Sequence, residues 1–374
     1  MTHIHTRTPP HRQRGLSIVE LMVTMVISLT LLAGVVQIFL SSKTTYRTQE
    51  ALSRLQENAR FAVSLVNRRV RLAGYMGCLS IDDSSFTTKL NGGTDFAFDL
   101  GTPIEGFEAN GTGVGNSYSI TASNPAPATS SGGWTPALDA DLVGRAIPGS
   151  DVVVVRNAST TSYPLVEPYQ DSAGFFVRSP NQFAVGDILI ATDCVKSTAF
   201  QGTNVTDAGT TPGGTDKTNI RHAMASMTPG NVTATWTESY QAGAELMRAE
   251  TSIYYIGQGA SGPSLFHRSL QTSAGSSGLT SEELVEGVES MQIVFGEDTS
   301  ADGSADAYRS AAAVANWDNV VSLRIALLMR SNEEVRMDPD TSTYDLAGTI
   351  VNPVDDRRLR DVVSTTITLR NRVR

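Results

Sequence analysis

The sequence predicts an α+β fold: one long N-terminal helix, membrane-spanning in its first half and amphipathic in its second, packed on a β-rich globular head. Three observations lead there. Between Leu16 and Leu40 the one charged residue is Glu20, and about 20 predominantly apolar residues are enough to cross a hydrocarbon core as a helix. From Gln49 onward, Leu52, Leu55, Ala59, Ala62, Val66, Val70 and Ala73 recur at spacings of three and four, which is one face of an amphipathic helix. After Gly74 the helical period gives way to short runs of period two, the pattern of half-buried strands.

The helix is expected to be continuous over residues 16–73. No proline occurs between Pro10 and Pro103, and a helix of that length would extend ~85 Å at about 1.5 Å per residue. Arg54, Glu57, Arg60, Arg68 and Arg71 fall outside the apolar stripe, and Gly74 supplies a left-handed stop. A carboxylate near the start of a membrane span costs up to about 2.5–3.5 kcal/mol on insertion scales, so Glu20 reads as functional and in need of a partner. A glycine, Gly15, precedes the apolar stretch, whereas a cleaved secretory peptide is shorter and ends in a small-residue site. The whole apolar helix is therefore expected to be retained. Arg7, Arg12 and Arg14 on one flank are matched by Lys43, Arg47 and Arg54 on the other, so counting cations does not orient the span.

The head, residues 74–374, reads as mostly β. Asp151–Arg156 and Val185–Thr192 are β-branched-rich runs bounded by turn residues. Val321, Leu323, Ile325, Leu327 and Met329 alternate with Ser322, Arg324 and Arg330 among their partners, and Val363, Thr365, Ile367 and Leu369 alternate with Ser364, Thr366, Thr368 and Arg370. Each is expected to have one wet face. Ser252–Gly257 and Ser264–Leu270, separated by a Gly/Ser/Pro turn, suggest a hairpin, while Ala109–Gly133 and Gly202–Gly230 read as surface loops. The head is long enough for two lobes, with a division placed near 235–250.

Composition excludes several function classes. The formal net charge is −9 over 374 residues, with no dense Lys/Arg run, so there is no electrostatic footprint for direct nucleic-acid binding. Beyond the first 15 residues only His222 and His267 remain of five histidines, with no Gly-x-Ser-x-Gly elbow or two-histidine metal spacing. Both read as satisfied surface histidines, and no enzymatic activity is expected. Cys78 and Cys194 are the only cysteines. In an exported bacterial domain such a pair is read as a disulfide, with two buried thiols as the alternative.

The junction Gly15-Leu16-Ser17-Ile18-Val19-Glu20-Leu21-Met22-Val23 resembles the class III leader junction of type IV pilins and type II secretion pseudopilins. The resemblance implies cleavage by a prepilin peptidase after Gly15, methylation of the new N-terminus at Leu16, and Glu20 as the fifth mature residue. It sets residues 1–15 apart as a leader, whose loss of Arg7, Arg12 and Arg14 takes the formal charge from −9 to −12. Tyr46-Arg47, Leu52–Ala62 and Arg71-Leu-Ala-Gly-Tyr-Met-Gly-Cys78 are similar to the N-terminal signature of PilW-type minor pilins. Further matches are Gly186–Leu189 with Thr192-Asp193-Cys194, Glu286–Gln292, Trp317–Arg324, Asp356–Arg360 and Leu369–Arg372. One departure is Gln37, where many major pilins carry a proline; Gly34 is the weak point of the span instead.

The resemblance implies a head of the pilin/pseudopilin type and a minor pilin that helps prime the type IV pilus and enters it through the N-terminal helix. Its implied partners are other minor pilins, the major pilin, a pilus tip-associated protein, the prepilin peptidase and the inner-membrane assembly platform. It places the chain in the bacterial inner membrane, single-pass with a periplasmic head, and in the pilus after assembly. A minor pseudopilin of type II secretion is the alternative, followed by a membrane-anchored adhesin. No cofactor is implied. From the residues alone, Asp298, Ser300, Asp302 and Asp306, with Gly303, occupy positions one, three, five, nine and six of an EF-hand-like loop, but Arg309 stands at position twelve where the bidentate glutamate belongs. A weak calcium site and a plain Asp/Gly-rich turn are the two readings. The last twenty residues hold six arginines, Arg357, Arg358, Arg360, Arg370, Arg372 and Arg374, against Asp355, Asp356 and Asp361. They read as a solvated sheet edge or a docking surface for an acidic neighbour.

Overall fold

The computed structural model describes residues 15, 17–80, 85–171 and 174–372. A single helix runs from Ile18 to Val70, 53 residues without a break at Gly34 or Gln37. The chain divides into two compact units, Met1–Glu50 and Ala51–Arg374, so the boundary falls within the helix.

In the first unit, the helix exposes its large apolar side chains from Ile18 to Leu40. It is the one helix among the described residues long and apolar enough to cross a membrane. Its hydroxyls do not oppose that. Thr24 Oγ1 donates to the Glu20 carbonyl at 2.9 Å and Thr30 Oγ1 to the Val26 carbonyl at 3.1 Å, which satisfies them inside the helix in a medium that offers no water.

In the second unit, the amphipathic stripe is buried as its spacing requires. Leu55, Ala59, Ala62, Val66 and Val70 join one core with residues of two sheets, including Val153, Tyr254, Met291, Ile293, Leu323, Ile325 and Ile367. Leu52, also on the predicted stripe, is exposed. The larger sheet has nine strands. Its centre is the long strand Glu245–Gly259, antiparallel to Val152–Pro164 on one side, and on the other to Ile188–Thr192 along its first part and Gly262–Ser273 along its second. That strand begins inside the interval 235–250, so the expected division into two lobes is not there: continuous strand pairing makes Ala51–Arg374 one unit. The second sheet has four strands, in the order Ala307–Arg309, Val288–Glu297, Val320–Glu334 and Arg358–Thr368.

Three further expectations change. The hairpin read at 252–257 and 264–270 is present and longer, and is extended by the edge strand Ser276–Glu286, whose Ser, Thr and Glu content hid it. Within the expected loop Gly202–Gly230, Asn204–Thr210 and Asp216–Arg221 form a hairpin that pairs with Phe175–Arg178. Its outer residues are Thr, Asn and Asp because that face meets water, and Ile220 supplies the buried contact. Strand Val320–Glu334, expected to have one wet face, is buried on both over most of its length. A small sheet of Tyr344–Leu346, Thr349–Asn352 and Ser117–Ser119 covers the second face, where Ala326 and Leu328 meet Leu346 and Val351.

Ala62 is fully buried where the helix meets the sheets, so a larger side chain has no room to enter. Ala62→Leu should cost about 1–3 kcal/mol by overpacking and lower the Tm of the detergent-solubilised full chain by scanning calorimetry. An unchanged Tm would mean that the seam is loose.

Candidate functional site

The structure separates the sequence-derived site residues into an N-terminal group, a helix-to-head lock, a buried ion network and a surface loop. In the N-terminal group, Leu16 and residues 1–14 lie outside the described residues. Gly15 is exposed, and a Cβ built on it would meet nothing within 4 Å. Packing in this chain therefore does not demand a glycine there. Ser17 precedes the first helical residue, with Leu21 N donating to its carbonyl at 3.0 Å, and Glu20 stands in the first turn. An acid at that place interacts well with the helix dipole. Among the described residues, no hydrogen bond or ion pair engages the Glu20 carboxylate, which is exposed in the apolar helix.

The lock forms where the helix ends. Gly74 adopts φ +72° and its N–H donates to the Arg156 carbonyl of strand 152–164 at 3.0 Å, turning the chain onto the larger sheet. Tyr75–Met76 and Leu79–Ser80 then form a tight hairpin, and Cys78 in its turn is bonded to Cys194, with Cα atoms 5.0 Å apart. Cys194 sits at φ 67° in the turn between strands 188–192 and 197–201, where Asp193 Oδ1 accepts from the Val195 and Lys196 N–H groups. The bond thus joins two hairpin turns. One turn earlier in the helix, Arg69 pairs with Glu250 at 2.5 Å, a contact no local pattern announced. The cysteines are 116 residues apart in sequence, and closing a loop of that order stabilises by up to about 4.7 kcal/mol in the chain-entropy model. Alkylation of the denatured, non-reduced chain should label neither cysteine, and Cys78→Ala should lower Tm; labelling of both without reductant would contradict the bond.

The C-terminal arginines divide: Arg357 and Arg370 are exposed, as a solvated edge would have them, Arg358 and Arg372 are half-buried, and the strand 358–368 is the edge of its sheet, but Arg360 departs from that reading. Arg360, on the last strand, is buried. Its Nε donates to Glu289 Oε2 at 2.6 Å, its Nη2 to Glu289 Oε1 at 3.1 Å and its Nη1 to Asp356 Oδ1 at 2.8 Å. Arg330 approaches the same Glu289 at 3.4 Å and also donates to the Ser123 carbonyl. Burial opposes the charge on Arg360, but Glu289 and Asp356 hold its guanidinium above the usual value. Burial likewise works against the Asp356 charge, and Arg360 with Arg358 holds that carboxyl below its usual range. Arg358 donates to the Ser331 carbonyl at 2.8 Å, and Arg372 reaches the Trp317 carbonyl at 3.0 Å. Arg370 stays exposed and lines a cleft of about 470 Å³ with Arg68 and Arg71; Arg374 lies outside the described residues.

Arg360→Met removes the cation that neutralises Glu289 in the core, and breaking a buried pair from one side costs about 3–5 kcal/mol. The loss should appear as a lower urea midpoint. The lowered Asp356 carboxyl contributes stability above its unfolded pKa, and that contribution is lost as pH falls through the folded value. Urea midpoints of the parent should therefore fall on acidification below about pH 4 more than those of Asp356→Asn.

In the loop after strand 288–297, the carboxylates face their own backbone. Asp298 Oδ1 accepts from Ala301 N at 2.7 Å and Oδ2 from Gly303 N at 2.8 Å, while Asp306 Oδ2 accepts from Thr299 N at 2.7 Å and Ser300 N at 2.9 Å. Asp302 Oδ1 accepts from Ser304 N at 2.8 Å. Arg309 is turned to Glu297 at 2.9 Å. Among the described residues no group of three or more His, Cys, Asp or Glu is arranged to hold a metal ion. These bonds favour the turn reading of Asp298, Ser300, Asp302 and Asp306.

The two histidines differ from their reading as surface residues. His222 is buried within an aromatic cluster, its ring centre 4.3 Å from Trp236 and its Nε2 2.9 Å from the Tyr169 hydroxyl. Burial pulls its pKa below the usual imidazole value. His267, also buried, lies on strand 262–273 beside Glu282 at 2.9 Å.

With that geometry in place, two family models match the chain. Residues 10–36 match the prokaryotic N-terminal methylation motif, and residues 253–371 match the type IV pilus-assembly protein W family. The second match begins in strand 245–259 and takes in the whole four-stranded sheet with the Glu289–Arg360 network. No curated protein and no solved structure matches the chain.

Proposed function

We propose that this chain, a PilW-type minor pilin with a class III leader, helps to prime assembly of the type IV pilus and is incorporated into the fibre through its N-terminal helix. The observation that carries this reading is Glu20, a carboxylate in an apolar helix whose own chain supplies it no partner among the described residues. A charge of this kind enters a low-dielectric environment only when an opposite charge offsets its desolvation. Cleavage after Gly15 would place a new amine on Leu16, about one helical turn from Glu20. In a packed bundle of such helices, the amine of one subunit would meet the carboxylate of the next.

The same reading gives Gly15 its reason. Its backbone and surroundings leave room for a side chain, so the need for glycine would lie with the prepilin peptidase that must reach the scissile bond. The head would stand in the periplasm and the leader in the cytoplasm, with other minor pilins, the major pilin, a tip-associated protein and the inner-membrane platform as partners. The role is assembly and not catalysis.

Glu20→Ala should leave membrane insertion and the Tm of the head unchanged while reducing recovery in sheared pili, measured by immunoblot against total cell protein. Gly15→Leu should leave the leader attached, read as intact mass. A mature chain beginning anywhere other than Leu16, or undiminished incorporation of Glu20→Ala, would overturn the proposal.

A further inference from the structure

Glu108 and Asp151 lie side by side in the interior of the head, 5% and 2% exposed. Glu108 ends strand Ile104–Ala109 on the larger sheet, and Asp151 immediately precedes strand 152–164. The Thr112 hydroxyl lies 3.2 Å from Glu108 Oε1 and 3.5 Å from Asp151 Oδ1. The same hydroxyl oxygen is also 2.7 Å from the Ala109 carbonyl oxygen, so its single proton cannot satisfy all three acceptors. Asp151 accepts Ala109 N at 2.9 Å and Ile293 N at 2.8 Å. Glu108 Oε2 has no partner at full hydrogen-bond geometry, although the Ser310 hydroxyl and the Ala311 N–H lie near that carboxylate and favour its charge; Gln292 Oε1 has none, its amide nitrogen being committed to Gly149 O at 2.8 Å and Ser290 Oγ at 3.2 Å.

These groups line one cleft. Its polar lining is Glu108, Asp151, Gln292, Thr112, Ser310 and Thr349, all oxygen donors, and no lysine, arginine or histidine is among its lining residues. Buried charges are as a rule paired, hydrogen-bonded or bound to metal, and here two carboxylates share a wall without a cation. Burial pushes the Glu108 carboxyl up to about 7, and burial together with the Glu108 charge pushes Asp151 well above its ordinary value. The cleft leaves no room for a water molecule. Oxygen ligands approach calcium at about 2.3–2.6 Å, closer than they approach water.

We propose that the Glu108–Asp151 cleft is a binding site for a hard divalent cation of the calcium type. Two carboxylates balance its charge, and Gln292 Oε1 with the hydroxyls of Thr112, Ser310 and Thr349 supplies neutral oxygens. The ion would tie the end of strand 104–109 in the larger sheet to strand 288–297 in the four-stranded sheet. It is distinct from the Asp298–Asp306 turn on the surface: Asp151, like those carboxylates, accepts backbone N–H groups, but the buried Gln292 Oε1 in the same cleft is left unpartnered. Metal would compete with the proton for Glu108, so affinity would fall with pH.

The test uses the full chain in detergent, stripped with EDTA. At about pH 7.5, about 1 mM calcium should raise Tm by about 2 °C, as expected for a site with a dissociation constant on the order of 10⁻⁴ M. Calorimetric titration should give one site per chain, at least about fivefold weaker near pH 6. Glu108→Gln keeps the shape and removes a charge; it should lose the response while being no less stable than the parent without calcium. Asp302→Ala should keep the response. A parent Tm indifferent to calcium but rising on acidification from about pH 8 to 6 would mean that a proton holds the pair, and overturns the metal site. A response that survives Glu108→Gln and disappears in Asp302→Ala overturns it as well.

Discussion

Packing of the Leu55–Ala59–Ala62–Val66–Val70 stripe against residues of two sheets is the contact that fixes the helix to the head. A helix of period 3.6 presents these residues as one stripe, which joins residues of both sheets in one core. Val153 and Tyr254 on one sheet and Met291 and Ile325 on the other share that core with the stripe. The helix thus lays one buried stripe on the head, and the same continuous segment supplies the apolar span at its other end.

Around this seam, polar contacts fix direction where apolar packing alone would not. The Cys78–Cys194 bond and the Arg69–Glu250 pair hold the last turns of the helix to the larger sheet. Across the four-stranded sheet, Glu289 draws Arg360 and Arg330 together from two strands. Buried ion pairs contribute little net stability because desolvation offsets attraction. Their geometric demands are strict, however, and a slip of one residue would turn Arg360 away from Glu289. Glu289, Arg330 and Arg360 all lie within the segment that matches the PilW family.

The apolar span and the head are under different requirements. Along residues 18–40 every large side chain is exposed and every threonine hydroxyl is closed onto its own helix, which suits lipid or a bundle of like helices. Glu20 is the one charged residue in that stretch, and no hydrogen bond or ion pair engages it among the described residues. The Glu108–Asp151 pair poses the same electrostatic problem inside the head, where no lysine, arginine or histidine lines the cleft they share.

How much was legible in the sequence follows from how local each signal is. The helix, its apolar first half, its amphipathic second half, the leader junction with Gly15, Leu16 and Glu20, and the longest strands were determined by periodicity and motif, because those features repeat within a few residues. The sequence by itself also determined which two cysteines were available to pair. Only the tertiary structure decided that strand 320–334 is covered on both faces, since the covering sheet combines Ser117–Ser119 with Thr349–Asn352 from distant parts of the chain. Likewise, six arginines in the last twenty residues signal exposure by composition, yet Arg360 is buried because Glu289, 71 residues earlier, lies beside it. Polar hairpins such as 204–221 escaped notice because an outer strand facing water has little apolar alternation to read. Residues whose meaning lies in a partner far along the chain, as for Glu108 and Asp151, carry no local pattern, and folding alone brings them together.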